Sequence, residues 1–122
     1  MRNFHPRILV VAGLLTAFSL STDAQTTWTA VGPFVISELN SDFSPNEGLV
    51  VVPPSGVVFP NPAGCAVASA AGLSASNRAY KTLSSLLMAA FLSGKRIRLW
   101  FSNPSSCAIN RPAFVGVEVL NN

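Results

Sequence analysis

The sequence predicts an α+β, mainly β domain: a five-stranded OB-fold-like Greek-key barrel with one helix between strands 3 and 4. Three observations carry this. Asn77 to Phe101 reads as a helix, a glycine stop and a strand. Three β-rich segments precede that unit, and one follows it. The order β, β, β, α, β, β is that of an OB-fold.

The first 24 residues stand apart. Arg2 and Arg7 give a basic start, and Ile8 to Leu20 is an apolar run of 13 residues. That is too short to cross a bilayer comfortably. Thr22-Asp23-Ala24 fits a small-residue cleavage site, so residues 1–24 read as a signal peptide; an uncleaved membrane anchor is the alternative. Residues 25–122 then form a single OB-fold-like domain, secreted or periplasmic, with no membrane span in the mature chain.

Within that domain, Thr26 to Leu39 is the first strand, bent or bulged at Gly32-Pro33, with Phe34, Ile36 and Leu39 inward. Asn40 to Gly48 is rich in turn residues. Leu49 to Val52 is the second strand, and Ser55-Gly56 can turn it into a hairpin with Val57 to Phe59. A short third strand is expected at Cys65 to Ala68. In the helix Ala79, Leu83, Leu86, Leu87 and Ala90 recur at helical spacing and make the core face. Ser74 or Ser76 can cap its start, and Gly94 can end it in the left-handed conformation. Ile97, Leu99 and Phe101 then alternate with Arg96, Arg98 and Trp100. Ser102 to Pro112 is a loop in which Arg111 positions the last strand and can bond a carbonyl near Cys107. Ala113 to Leu120 closes the domain, with Val115, Val117 and Val119 on one face.

Composition narrows function. Removing Arg2, Arg7 and Asp23 leaves six Lys/Arg against four Asp/Glu. A net charge that small does not describe a nucleic-acid binder, so no nucleic-acid partner is expected. The one histidine, His5, lies in the leader. Ser-His and Cys-His nucleophilic pairs and histidine zinc sites are therefore lacking after cleavage. The four acids carry no glycosidase motif. No catalytic residue, metal site or cofactor is expected, and the reading is non-enzymatic. Cys65 and Cys107 most simply form one disulfide in an exported domain; two free thiols or an intermolecular bridge are the alternatives.

Two surfaces are candidates for binding. Arg96, Arg98 and Trp100 share the non-core face of their strand. An indole can stack on a pyranose and a guanidinium can grip a carboxylate, with Trp28 as a second aromatic. The competing reading is a solvated charged edge. Opposite the helix's core face, Lys81, Ser85, Met88 and Leu92 make a second, weaker stripe that fits an oligomer interface. Scattered exposed apolar residues, which are common, are the alternative.

Several runs carry a resemblance. They are Cys65-Ala66-Val67, Tyr80-Lys81-Thr82-Leu83, Ser93 to Leu99, and Phe34 to Leu39. Together they resemble the B subunits of bacterial AB5 toxins, in the subtilase-cytotoxin and pertussis-like branch. The turn Asn61 to Cys65, the run Leu86 to Ala90 and the strand Gly94 to Arg98 are also similar to small secreted bacterial proteins. The resemblance implies a secreted binding subunit, ring-forming as a homopentamer, taking a host-cell glycan and serving a toxin A subunit. The toxin branch uses Ser, Tyr and Lys side chains for sialoglycans. This domain has one tyrosine, Tyr80, on the helix, so that pocket has no residue-by-residue counterpart. The alternative function is a monomeric periplasmic protein-interaction or inhibitor module.

Overall fold

A computed structural model describes residues 26–42 and 47–121. The expected signal peptide, residues 1–24, lies outside them. The described chain is mainly β with one helix: β1 (Thr27–Val35), β2 (Glu38–Asp42), β3 (Gly48–Val52), β4 (Ala71–Ser74), α1 (Tyr80–Ser93), β5 (Arg96–Asn103), β6 (Cys107–Ala108), β7 (Arg111–Pro112) and β8 (Gly116–Val119).

These strands form three small sheets, ordered β1-β5-β8, β2-β3-β4 and β6-β7, with antiparallel ladders throughout. The described chain thus has eight strands by its ladders where five were expected, and the ladders alone do not close a barrel. Two residues, Ile36 and Ser37, separate β1 from β2, and the Ser37 amide donates to Val52 O at 2.9 Å. A parallel bridge between Gly72 and Ala113 touches β4 to the segment before β8.

The bend in the first strand falls where its glycine-proline pair places it. The β1–β5 register slips between Val31 and Phe34. Gly32 has φ +127°, and a Cβ there would stand 2.6 Å from Ile97 O. Only glycine permits both that backbone and that approach. Phe34 and Ile36 turn into the core beyond the slip.

Four local expectations are corrected. Asn40 to Asp42 continue a strand, β2, rather than start a loop. The third strand is Ala71–Ser74, not Cys65 to Ala68, because Gly72 lets the backbone press against Ala108 O, where a Cβ would overlap. Val57 to Phe59 does not pair as a hairpin arm; Pro53 and Pro54 end the ladder, and Phe59 fills the core against Phe34 and Phe101. The loop after β5 contains a β6–β7 hairpin, turned by Ile109 and Asn110 at φ 53° and 59°. Asparagine tolerates that region, but a β-branched residue there is strained. Packing of Ile109 against Val50 and Ala70 holds it.

In α1, Leu83, Leu87 and Ala90 are buried, whereas Leu86, assigned to the core face, is exposed. Neither Ser74 nor Ser76 caps the helix. Their hydroxyls meet each other at 2.8 Å, and the Asn77 carbonyl oxygen of the side chain accepts from the Ala79 amide at 2.8 Å. Gly94 ends α1 at φ 66°, and the Lys95 amide reaches back to Ala90 O at 3.0 Å.

The main core gathers Phe34, Leu49, Val51, Leu73, Leu87, Ile97, Leu99 and Phe114. A second, small cluster of Val50, Ala70 and Ile109 lies on the other side of β3. The run Leu49-Val50-Val51-Val52 has no polar member because both of its faces are covered. Cys65 and Cys107 are joined, with Cα atoms 5.7 Å apart. The bridge ties the coil after Asn61 to β6. Asn61 braces that coil by exchanging side-chain bonds with the Cys65 amide (2.7 Å) and carbonyl (2.9 Å).

Candidate functional site

Three surfaces qualify. The first is the outer face of the β1-β5-β8 sheet. Antiparallel register sets Ala30 opposite Trp100, Trp28 opposite Ser102, and Arg98 opposite Glu118. Arg96, Arg98, Trp100 and Trp28 therefore do share a face. Their states differ. Arg98 donates to Glu118 at 3.2 Å in an exposed pair worth about 0–1 kcal/mol. Trp100 is half-buried and leans on Gly116, whose absent side chain makes room for the indole. Trp28 stands out, with 59% of its surface exposed.

The second surface is the outer side of α1. Lys81, Ser85, Met88 and Leu92 are all exposed along it. Leu86 and Phe91 are also exposed, at the two margins of the buried face, and Leu92 is 79% exposed. The helix serines turn inward on their own backbone. Ser84 and Ser85 donate to Lys81 O at 3.1 and 2.7 Å, and Ser93 donates to Ala89 O at 2.7 Å. Such back-bonding satisfies the hydroxyls locally, so the face presents mostly carbon.

The third is a cavity of about 440 Å³ that the sequence did not single out as a site. It lies over the second cluster, on the side of β3 away from the main core. Val52, Val57 and Val67 give it apolar walls, Asn40 and Ser69 line it, and Arg111 enters it from β7. Arg111 Nη1 donates to Ile109 O at 2.7 Å, a carbonyl of the loop that sequence reasoning offered it. Its Nε is buried without a hydrogen-bond partner among the described residues. A buried donor left unpaired costs about 1–3 kcal/mol. A lone arginine between a cysteine and a proline carried no sequence signal for a cavity.

Fold and surfaces define a small β-rich domain with one outward apolar helix face and one arginine-floored cavity. Residues 11–115 match the family model described as T-box transcription factor 2/3, repressor domain. The match covers well over half of the chain, which belongs to that family. It begins inside the segment read as a leader. A search of curated proteins found no match.

The family overturns the AB5 resemblance, because a transcription factor repressor domain is not a bacterial toxin B subunit. The secreted, ring-forming, glycan-binding function falls with it, as does the periplasmic inhibitor alternative. The expected partners (a host-cell glycan, a homopentamer and a toxin A subunit) and the secreted or periplasmic location are corrected on the same ground. The physical reason for the error is plain. An apolar run after two arginines, two cysteines and an OB-like element order are general features, and none of them is peculiar to toxin subunits. No helix among the described residues is long and apolar enough to cross a membrane.

Proposed function

We propose that the chain is a non-enzymatic repression module of a transcription factor, docking a partner protein on the outer face of α1. The observation that carries this reading is the face itself. Met88 and Leu92 are exposed on it, with Leu86 and Phe91 exposed at the margins of the buried face, while the helix serines bond their own backbone. An amphipathic helix of this kind fits an apolar groove on another protein. The family's description as a repressor domain supports the biological setting.

A reporter assay tests it. Fused to a heterologous DNA-binding domain, the chain should lower transcription from a reporter. A double charge substitution, Met88→Asp with Leu92→Asp, should abolish that repression while leaving the thermal unfolding midpoint unchanged. Both residues are exposed, so the fold does not depend on them. Full repression by the folded double variant would defeat the proposal.

We also propose a finer reading of the fold: β1 and β2 act as one bent strand, and the chain closes as a five-stranded Greek-key barrel. Counted so, the helix falls between strands 3 and 4. Support comes from the Gly72–Ala113 bridge and from the Phe114 amide, which donates to Gly72 O at 3.3 Å. Gly72→Val would drive a side chain into Ala108 and part this seam. Overpacking of that kind costs about 1–3 kcal/mol. Amide exchange at Phe114 should then quicken roughly tenfold, the equivalent of ~1.4 kcal/mol, with Leu83 and Ala90 unaffected. Unchanged exchange at Phe114 would argue for two separate sheets.

A further inference from the structure

We propose that the protein docked on the outer face of α1 offers an acidic groove: apolar hollows for Met88 and Leu92, and a carboxylate opposite Lys81. This partner chemistry rests on the reading of that face as a docking surface.

Charge is distributed unevenly in the chain. Residues 48–117 contain no Asp or Glu, and every Lys and Arg after Arg7 lies in that stretch. The helix α1 has one charged residue, Lys81, and no acid in its first turn. Arg78 is exposed in the turn that leads into it. The ion pair among the described residues is Arg98 with Glu118, on the sheet. Neither Lys81 nor Arg78 is therefore neutralised by a described acid of this chain. Both also stand at the positive end of the helix dipole, where a cation is disfavoured. A carboxylate brought by a partner relieves that repulsion.

The spacing gives the groove its dimensions. Lys81, Ser85, Met88 and Leu92 follow at intervals of four, three and four, so they form one stripe. Met88 lies about 10 Å along the helix from Lys81, and Leu92 about 6 Å further. Between them Ser85 gives its hydroxyl to Lys81 O at 2.7 Å and needs no partner donor or acceptor. The stripe is thus polarised, cationic at one end and apolar at the other. A wholly apolar groove would cover the Lys81 ammonium without a counter-ion, which is costly. A carboxylate there matches the charge and sets the direction of docking. An anionic membrane also attracts lysine, but a helix lying in one carries cations along its polar face, and α1 has a single one.

The test extends the reporter assay on the full chain fused to a heterologous DNA-binding domain. Arg78→Glu/Lys81→Glu sets like charges against the partner and should cut repression about tenfold. Arg78→Gln/Lys81→Gln should cut it about threefold, and Lys81→Arg should retain it. Acids suit a helix start, so the unfolding midpoint of the glutamate variant should hold or rise, which separates lost docking from lost fold. Lys81→Met should weaken repression, whereas a wholly apolar groove would bind it better. The chain should not sediment with phosphatidylserine–phosphatidylcholine vesicles. Full repression by Met88→Asp/Leu92→Asp would defeat the docking face and the acidic groove together. Repression abolished by that pair yet untouched by Arg78→Glu/Lys81→Glu would overturn the acidic groove alone. Sedimentation with the vesicles that Lys81→Glu abolishes would overturn it too, in favour of a lipid surface.

Discussion

Removing the cystine should cost about 4 kcal/mol of folding free energy. The chain-entropy model gives that figure for a bridge spanning 42 residues. Urea unfolding of Cys65→Ala/Cys107→Ala against the oxidised parent measures it directly. The effect is large because the bridge spans β4, α1 and β5 in sequence and ties together two segments with little pairing of their own. The coil from Asn61 to Val67 has its Asn61 brace and one bond from the Val67 amide to Asn110 O at 2.9 Å. The β6–β7 hairpin is two residues to a side. Free of the bridge, the coil and the hairpin should fray first. A loss under about 1 kcal/mol would mean that the reduced chain already holds this loop closed in its unfolded ensemble.

Phe114→Ala should cost about 3–5 kcal/mol, the range for emptying a buried phenylalanine site. Phe114 is among the largest fully buried side chains and belongs to the main core. It is also held at its backbone by Gly72, so the side chain fills the core where β4 meets the last segment. Phe114→Leu should recover roughly half of the loss, because most of the volume returns. The same urea experiment gives both numbers. A cost near 1 kcal/mol for the alanine variant would mean that the surrounding core collapses onto the gap.

The parts of the fold that were legible are those set by local pattern. The three-and-four spacing of Leu83, Leu87 and Ala90, the stop at Gly94 and the alternation after it placed the end of α1 and the start of β5, whereas α1 begins at Tyr80 rather than near Asn77 and β5 runs past Phe101 to Asn103. Leu86 was misassigned because the apolar arc is wider than the face that the core covers. The third strand was missed because Ala71-Gly72-Leu73-Ser74 has almost no strand propensity. What makes it a strand is how closely Gly72 can approach Ala108, a tertiary fact. The β6–β7 hairpin was hidden for a related reason: its turn puts an isoleucine at positive φ, which local rules forbid and packing enforces. The cavity was the least legible feature of all. Its walls come from β2, β3, the proline turn, the coil after Cys65 and β7, so no window of sequence contains it. The sequence offered Arg111 a carbonyl of its loop without deciding the bond, and the structure shows it made to Ile109 O. The toxin resemblance rested on short runs, and the family match across most of the chain outweighs them.

The two halves of the cystine do not face the same surroundings. Cys107 is exposed and Cys65 is buried. An attacking thiolate therefore reaches the Cys107 sulfur first and forms a mixed disulfide there. The leaving group is then the Cys65 thiolate, released in a buried position where loss of solvation disfavours its charge and held within reach of the bond just made. Expulsion is slow and return is fast, so a weak reductant is turned back. An oxidised bridge in protein taken from cells, with thiols trapped at lysis, would record surroundings that leave cystines intact. A fully reduced pair would record sustained exposure to a strong reductant.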